Sequence, residues 1–456
     1  MTSVNLLQSH SYQPFKAQTA ILFLSFAVFL ICTLSEYFYT ALGLGVATFV
    51  FLQLFFQLGR TIPVLEIMLT MAAAQWIIGP YIDYQTEAEH FKYKMYVEEL
   101  EYMQVVVPAF LAFVVGTLWA TGKKVVDVQA IRALVMAQPQ LPYWLIGIGI
   151  VATLAGALVP SALLFVFFLL SNLKYIGLGY LLLTDSKYKW HILAGALLFV
   201  LASSIRAGLF HDFILWSILL FFYVSFVKRF SITAKLLILG ISFLFLFLLQ
   251  SVKHEYRMLT WENEYKGDKI ELFTSLVLNK LSGIDQAEEN QVNDVNTRLN
   301  QGWIISLILQ RYPEQEPFAE GETVIAAIEA SALPRFLASD KRGGGGKETF
   351  ERLTGLTLLG GTAMGVSLMG EFYGNYGPRG AIISFFVWGV LLNAVYNRFW
   401  KLQATLPSIM FWLPLVFLQV IKAESDLVTV LNHLIKSLIL VALIIFGSKN
   451  FMKIKV

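Results

Sequence analysis

The sequence predicts an all-α integral membrane protein of about twelve transmembrane helices, interrupted late by one large polar loop. Three observations carry that expectation. The 456 residues are 57% hydrophobic and only 14% charged, where a soluble domain is roughly a quarter charged. Apolar runs of about 20 residues recur, each long enough to cross a bilayer. The runs are continuous, whereas barrel strands alternate over about 10 residues, so helices are expected.

The runs place spans near 17–34, 41–58, 62–82, 102–120, 142–159, 160–183, 190–206, 209–227, 236–252, 378–396, 406–422 and 430–447. The run after Ala17 lacks a small-x-small exit and reads as a retained first span. Charge in the short loops sets the orientation. The connection 83–101 has six carboxylates against Lys92 and Lys94 and is put outside. Lys123, Lys124 and Arg132 then face the cytoplasm, followed by the basic loops at 187–189, 228–235 and 398–401 and the basic C-terminus. Both termini fall in the cytoplasm. Between Tyr143 and Thr184 the apolar length suits two spans turning near Pro160-Ser161, which leaves Lys174 at membrane depth or on an interfacial helix.

Three regions result: spans one to nine over 1–252, an extracytoplasmic loop over 253–365, and a re-entry segment with the last three spans over 366–456. The loop has helical periodicity in three places. Ile270, Phe273, Val277 and Leu281 make one stripe; Leu299, Trp303, Leu307 and Ile308 a second; Val324, Ala327 and Ile328 a third. Such helices suit either a cap on the membrane surface or ordinary packing of a small domain.

The net charge of +3 is too small to imply nucleic acid. The single Cys32 excludes an intramolecular disulfide. His10, His90, His191, His254 and His433 lack metal-ligand spacing, and neither a nucleotide loop nor a serine elbow is present. No metal or cofactor is expected.

Candidate chemistry gathers on the outer side. Arg206 ends the seventh span, with His211 and Asp212 close behind. Ionisable residues at membrane depth are costly and usually functional, although an arginine at a helix end also snorkels. Arg335 with Lys341 and Arg342 forms a basic cluster. Arginine suits diphosphate because its planar fork binds oxygens in pairs; anionic headgroups are the plainer partner. Glu371, Tyr373, Tyr376 and Arg379 lie where the loop re-enters the membrane. A carboxylate there can act as general base, and the aromatics can equally be an interfacial belt. Glu322 is a second candidate base, or a charged helix start.

Three motifs resemble the bacterial O-antigen polymerase family of oligosaccharide repeat-unit polymerases. They are Ser204-Ile205-Arg206 at a span end, Ala332-Leu333-Pro334-Arg335-Phe336-Leu337 in the late loop, and Gly370-Glu371-Phe372-Tyr373-Gly374-Asn375-Tyr376-Gly377-Pro378-Arg379-Gly380. The family's Arg-x10-Gly spacing fits Arg335 and Gly346, while Arg206 has Ser217 at that offset. The resemblance implies a fold of the membrane glycosyltransferase class (GT-C-like) in the cytoplasmic membrane. It implies a metal-independent enzyme that polymerises oligosaccharides carried on undecaprenyl diphosphate for O-antigen, capsule or exopolysaccharide. Arg206, Arg298 and Arg335, with Lys341 assisting, would stabilise the diphosphate leaving group; Arg379 would join the substrate site. Glu371, Glu322 or His211 would be the base, and Tyr373 and Tyr376 would stack on sugars. A chain-length regulator is a further expected partner. An O-antigen ligase shares this layout, and a flippase or transporter is the alternative outside enzymes.

Overall fold

The apolar runs fold as helices whose outward faces stay apolar. The computed structural model describes residues 14–86, 93–119, 125–156, 158–228, 230–262, 265–282, 299–332, 346–358 and 363–450, and all regular structure among them is helical. The first half contains α1 (Pro14–Cys32), α2 (Phe38–Gln57), α3 (Val64–Ala73), α4 (Gly79–Tyr84), α5 (Glu99–Leu118), α6 (Val128–Ala137), α7 (Leu141–Ala155), α8 (Ser161–Ser171), α9 (Leu173–Leu182), α10 (Lys189–Ala207), α11 (His211–Val227) and α12 (Ile232–Arg257). The polar insertion supplies α13 (Lys269–Ser282), α14 (Gly302–Arg311), α15 (Glu322–Ala332) and α16 (Lys347–Thr354). The chain ends with α17 (Ser367–Gln403), a 3-10 turn (Pro407–Trp412), α18 (Leu413–Phe417) and α19 (Leu427–Asn450).

Among the described residues, eight helices are long and apolar enough to cross a bilayer, against the twelve spans expected. They are α2, α3–α4, α5, α8–α9, α10, α12, α17 and α19. The expected span 142–159 is instead half of a pair, α6 and α7, bent by 84°. Pro139 forces that bend: it lacks an N–H and drives Gln138 out of helical geometry. The expected spans at 17–34 and 209–227 fold as shorter apolar helices. The expected span 406–422 is a short buried helix that ends at Phe417. Lys174 falls inside the continuous span Leu163–Leu182, and its ammonium donates to Thr153 Oγ1 (3.1 Å) and the Ser171 carbonyl (2.9 Å).

The outer face of α12 illustrates why this is a membrane-embedded protein. Only 6% of its apolar window is buried, and Leu237, Ile241 and Phe243 are 62%, 68% and 69% exposed. Water does not tolerate so long an apolar face, whereas lipid requires one. The interior is built differently, on close backbone contact. At the seam of α5 and α17, a Cβ on Gly116 would lie 2.4 Å from the Phe386 carbonyl oxygen. Helices in lipid gain little from burying apolar surface, so small residues that let them touch do the packing.

The three amphipathic stretches of the insertion form α13, α14 and α15. α14, α15 and α16 pack on α17, and α15 also packs on α19, while α13 leans on α10 and α12. They sit over the bundle as packed elements. α17 breaks where they dock. Gly377 is non-helical (φ 68°, ψ −171°), and Pro378 has no N–H to give the Gly374 carbonyl. That carbonyl accepts from Ala319 N (2.9 Å) instead, and the Asn375 carbonyl accepts from Glu320 N (3.0 Å). The break is therefore the docking point of the segment leading into α15.

Gly377→Ala adds a Cβ at positive φ, 2.9 Å from the Phe318 ring, and should cost about 1–3 kcal/mol of stability. Gly447→Ala, where a Cβ meets nothing within 4 Å, should leave stability unchanged or slightly raised. Thermal unfolding of the detergent-purified variants checks both.

Candidate functional site

The apolar run ahead of α19 does not stay helical to its end, and its break assembles the site. The 3-10 turn and α18 supply 11 residues, which rise only about 20 Å of a roughly 30 Å core. Residues 418–426 continue as irregular backbone, with Leu418, Val420, Ile421, Ala423 and Asp426 all buried. The 3-10 turn ahead of it is tied to α9 and α11. Tyr223 OH donates to the Phe411 carbonyl (2.7 Å) and Tyr180 OH to the Ser408 carbonyl (3.3 Å). Trp412 Nε1 donates to Tyr180 OH (3.0 Å), completing the chain.

The irregular segment carries Lys422 and Glu424, both held by α11, and Asp426, held by α16 and α19. Glu424 Oε1 is 3.6 Å from His211 Nδ1, at the start of α11. Its other oxygen accepts from Gln75 Nε2 (3.2 Å). Gln75 lies in a π turn, Ala74–Ile78, between α3 and α4, and its carbonyl accepts from Gln301 N at the start of α14 (3.1 Å). π turns inside helices recur at functional positions. Lys422 Nζ is 3.6 Å from Asp212 Oδ1; the lysine side chain is 14% exposed and the aspartate 64%. Asp212 is also within electrostatic reach of Lys174.

Asp426 caps α19. Its Oδ1 accepts from Thr429 N (3.2 Å), and its Oδ2 accepts from Thr349 Oγ1 of α16 (3.5 Å).

Glu371 serves the same helix end. It is fully buried, and its Oε2 accepts from Leu427 N at 2.7 Å. The first amides of a helix have no partner within it, and a carboxylate answers both their hydrogen bonding and the dipole. Asn375 braces this turn by donating to the Glu371 carbonyl and to Thr323 Oγ1, both at 2.7 Å. Tyr373 is 6% exposed and donates to the Tyr312 carbonyl (3.0 Å), with its ring edge-on to Phe318. Glu371 and Tyr373 thus lie in the interior. Tyr376 is 41% exposed beside Gly321, and Arg379 is exposed.

Glu322 sits in a surface ion network. Arg352 Nε binds it at 2.9 Å, and Arg352 NH1 binds Glu316 Oε2 at 3.1 Å. Arg311 pairs with the other Glu316 oxygen. Burial raises the Glu316 carboxyl, but the hydrogen bonds and charges of Arg311 and Arg352 outweigh it and hold it below the usual range. Arg206 is exposed at the end of α10, and its carbonyl accepts from Lys269 Nζ (3.4 Å). Arg257 holds the next turn, donating to the Gly208 carbonyl (2.9 Å) over the Trp261 ring. Arg298, Arg335 and Lys341 lie outside the described residues.

Of the sequence candidates, His211 joins the charged segment through its side chain and Glu371 through the backbone at Leu427. Gln75, Lys422, Glu424 and Asp426 were not singled out. The run Lys422-Ala423-Glu424-Ser425-Asp426 after so short an apolar stretch was the available signal. Among the described residues no group of three or more His, Cys, Asp or Glu side chains could hold a metal. No protein-family description, curated protein or solved structure matches this chain.

A depressed carboxyl adds stability above its unfolded value and loses it as pH falls through the folded value. The 312–332 segment should therefore exchange amide hydrogens faster as pH drops below the usual carboxylate range, and Glu316→Gln should show fast exchange already at pH 7. Hydrogen–deuterium exchange across pH, corrected for intrinsic rates, reads this directly.

Proposed function

We propose that the chain is a metal-independent glycosyltransferase that joins oligosaccharide repeats carried on undecaprenyl diphosphate, at the loop side of the cytoplasmic membrane. The observation that supports this reading is the His211–Glu424 pair, held at the membrane mouth beneath the inserted helices. Glu424, oriented by Gln75, faces His211 Nδ1; Nε2 is buried with no hydrogen-bond partner and would take the proton of an acceptor hydroxyl admitted to it. In the proposed step, Nε2 removes the proton of the acceptor hydroxyl. The oxygen attacks the anomeric carbon of the donor, the bond to the diphosphate breaks, and the electron pair leaves with the diphosphate. The proton passes from imidazolium to solvent or to the departing phosphate.

Lys422 supports the same reading. A mostly buried ammonium is costly, and a long contact to an exposed aspartate compensates it only in part. A diphosphate placed there would compensate it better, with Arg206 at the mouth and Arg298, Arg335 and Lys341 of the insertion as further proposed cations. Arg379 and Tyr376, both exposed, remain on the substrate side of the proposal. Glu371, closed in on the first amide of α19, supports the frame of the site.

A second reading has its own observation. A broken span with a π turn facing it is also how transporters line a path, so a lipid-linked sugar flippase is the competitor. A ligase would share the chemistry and differ in acceptor.

Gel ladders of polysaccharide from a deletion strain separate the three. A single repeat left on its lipid means polymerase, full-length polymer stranded on lipid means ligase, and repeats trapped at the cytoplasmic face mean flippase. Under the polymerase reading, His211→Ala and Glu424→Gln variants present at normal levels should cut polymer formation by roughly 10²-fold or more. A normal ladder from His211→Ala would remove the histidine from the mechanism.

A further inference from the structure

A second site lies on the loop side, separate from the charged segment. A cleft of about 580 Å³ opens between the end of α4, the start of α5 and the end of α14, within the usual range of about 300–1,000 Å³ for ligand pockets. One wall is the irregular segment 93–98, and it is held rigidly. The Tyr93 ring packs on Trp303 (5.0 Å between centroids), Tyr96 N donates to Ser306 Oγ (3.1 Å), and Tyr84 OH donates to the Val97 carbonyl (2.8 Å). Asn300 Nδ2 reaches the Met95 sulfur at 3.5 Å. A cleft with pinned walls is formed before its ligand arrives.

Its lining selects a class of ligand. Asp83, Glu98, Glu101 and Glu314 face one basic residue, Lys94, among the described lining residues. This balance repels diphosphates and acidic sugars. Nor do the carboxylates converge as a cation would need, since no three acidic side chains among the described residues could share a metal. Gln310 and Tyr96 share the lining with them. Acceptors that do not converge suit a ligand that presents hydroxyl donors on several sides.

The position fits as well. α14 touches Gln75, the partner of Glu424, through Gln301 at its start, and lines the cleft with Leu309 and Gln310 near its end. The nine-residue separation spans about 14 Å at 1.5 Å per residue, the length of a few sugar units. We propose that this cleft binds an uncharged or amino-sugar-containing saccharide chain, gripping the glycan a few sugars away from the site of transfer. The sugar class rests on the glycosyltransferase reading; the cleft and its charge do not.

The test uses the full chain purified in detergent, with glycan released by mild acid from the source strain's own lipid carrier as probe. Oligogalacturonate and calcium chloride are the controls. The released glycan should bind, oligogalacturonate and calcium should not, and Glu101→Ala/Glu314→Ala should weaken glycan binding at least about tenfold. Expressed in the deletion strain, that variant should also shift the ladder to shorter chains. Glu101→Gln/Glu314→Gln keeps the shape of the site and should fall between wild type and the alanine variant. Equal glycan affinity in wild type and both variants overturns the proposal. So does calcium binding that the variants lose while glycan affinity stays unchanged. If the deletion strain instead makes normal polymer, the polymerase reading fails, while the binding result still judges the cleft.

Discussion

A chain that stops being helical inside a bilayer must find partners for the backbone it frees, and the interior of this protein answers to that demand. The demand arises at Phe417, where the last buried helix ends with nine residues still to go before α19 starts. Ahead of the break, two buried tyrosines of α9 and α11 tie down the 3-10 turn through the Ser408 and Phe411 carbonyls. Beyond it, Glu371 and Asp426 cap the helix that resumes. The frame that supports the break thus recruits α9, α11, α16 and α17. A change in any of these would be felt at residues 418–426, although none of them adjoins this segment in sequence.

That constraint also explains why charge can be concentrated here. Lys422 and Glu424 would be prohibitively costly facing lipid. Inside a segment already surrounded by protein, each needs only one or two correctly placed partners. The π turn at Ala74–Ile78 is part of that provision. It lets Gln75 turn its amide to Glu424 while its carbonyl accepts from Gln301. Gln75 is thus one of the points where the inserted helices and the membrane bundle meet, beside the packing of α14, α15 and α16 on α17.

Much of the scaffold was legible in the sequence because helices are local. Hydrophobic spacing located α13, α14 and α15. The break at 417 was less legible, because hydropathy averages over side chains and does not see the backbone. Pro407 and Pro414 within one apolar run were the warning. The roles of Glu371 and Glu424 were beyond sequence reasoning for a different reason. Glu371 finds its partner 56 residues away and Glu424 its partner 349 residues away, and no local pattern records such a pairing. His211 stood out in the sequence because it follows Arg206 at a span end, but its contact with Glu424 did not.

The two proposed sites differ in sign, and the difference follows from what each would hold. A lipid-linked saccharide is anionic at its diphosphate and, in this proposal, uncharged along its glycan. Lys422 and the basic residues near the mouth favour the first part, and the cleft of Asp83, Glu98, Glu101 and Glu314 disfavours it. A substrate entering backwards would set its diphosphate against four carboxylates, a repulsion that weak sugar contacts could not offset. Orientation would therefore be selected by repulsion at the far site as much as by attraction at the near one. α14, which links the two through Gln301 and Gln310, fixes the distance over which that selection acts.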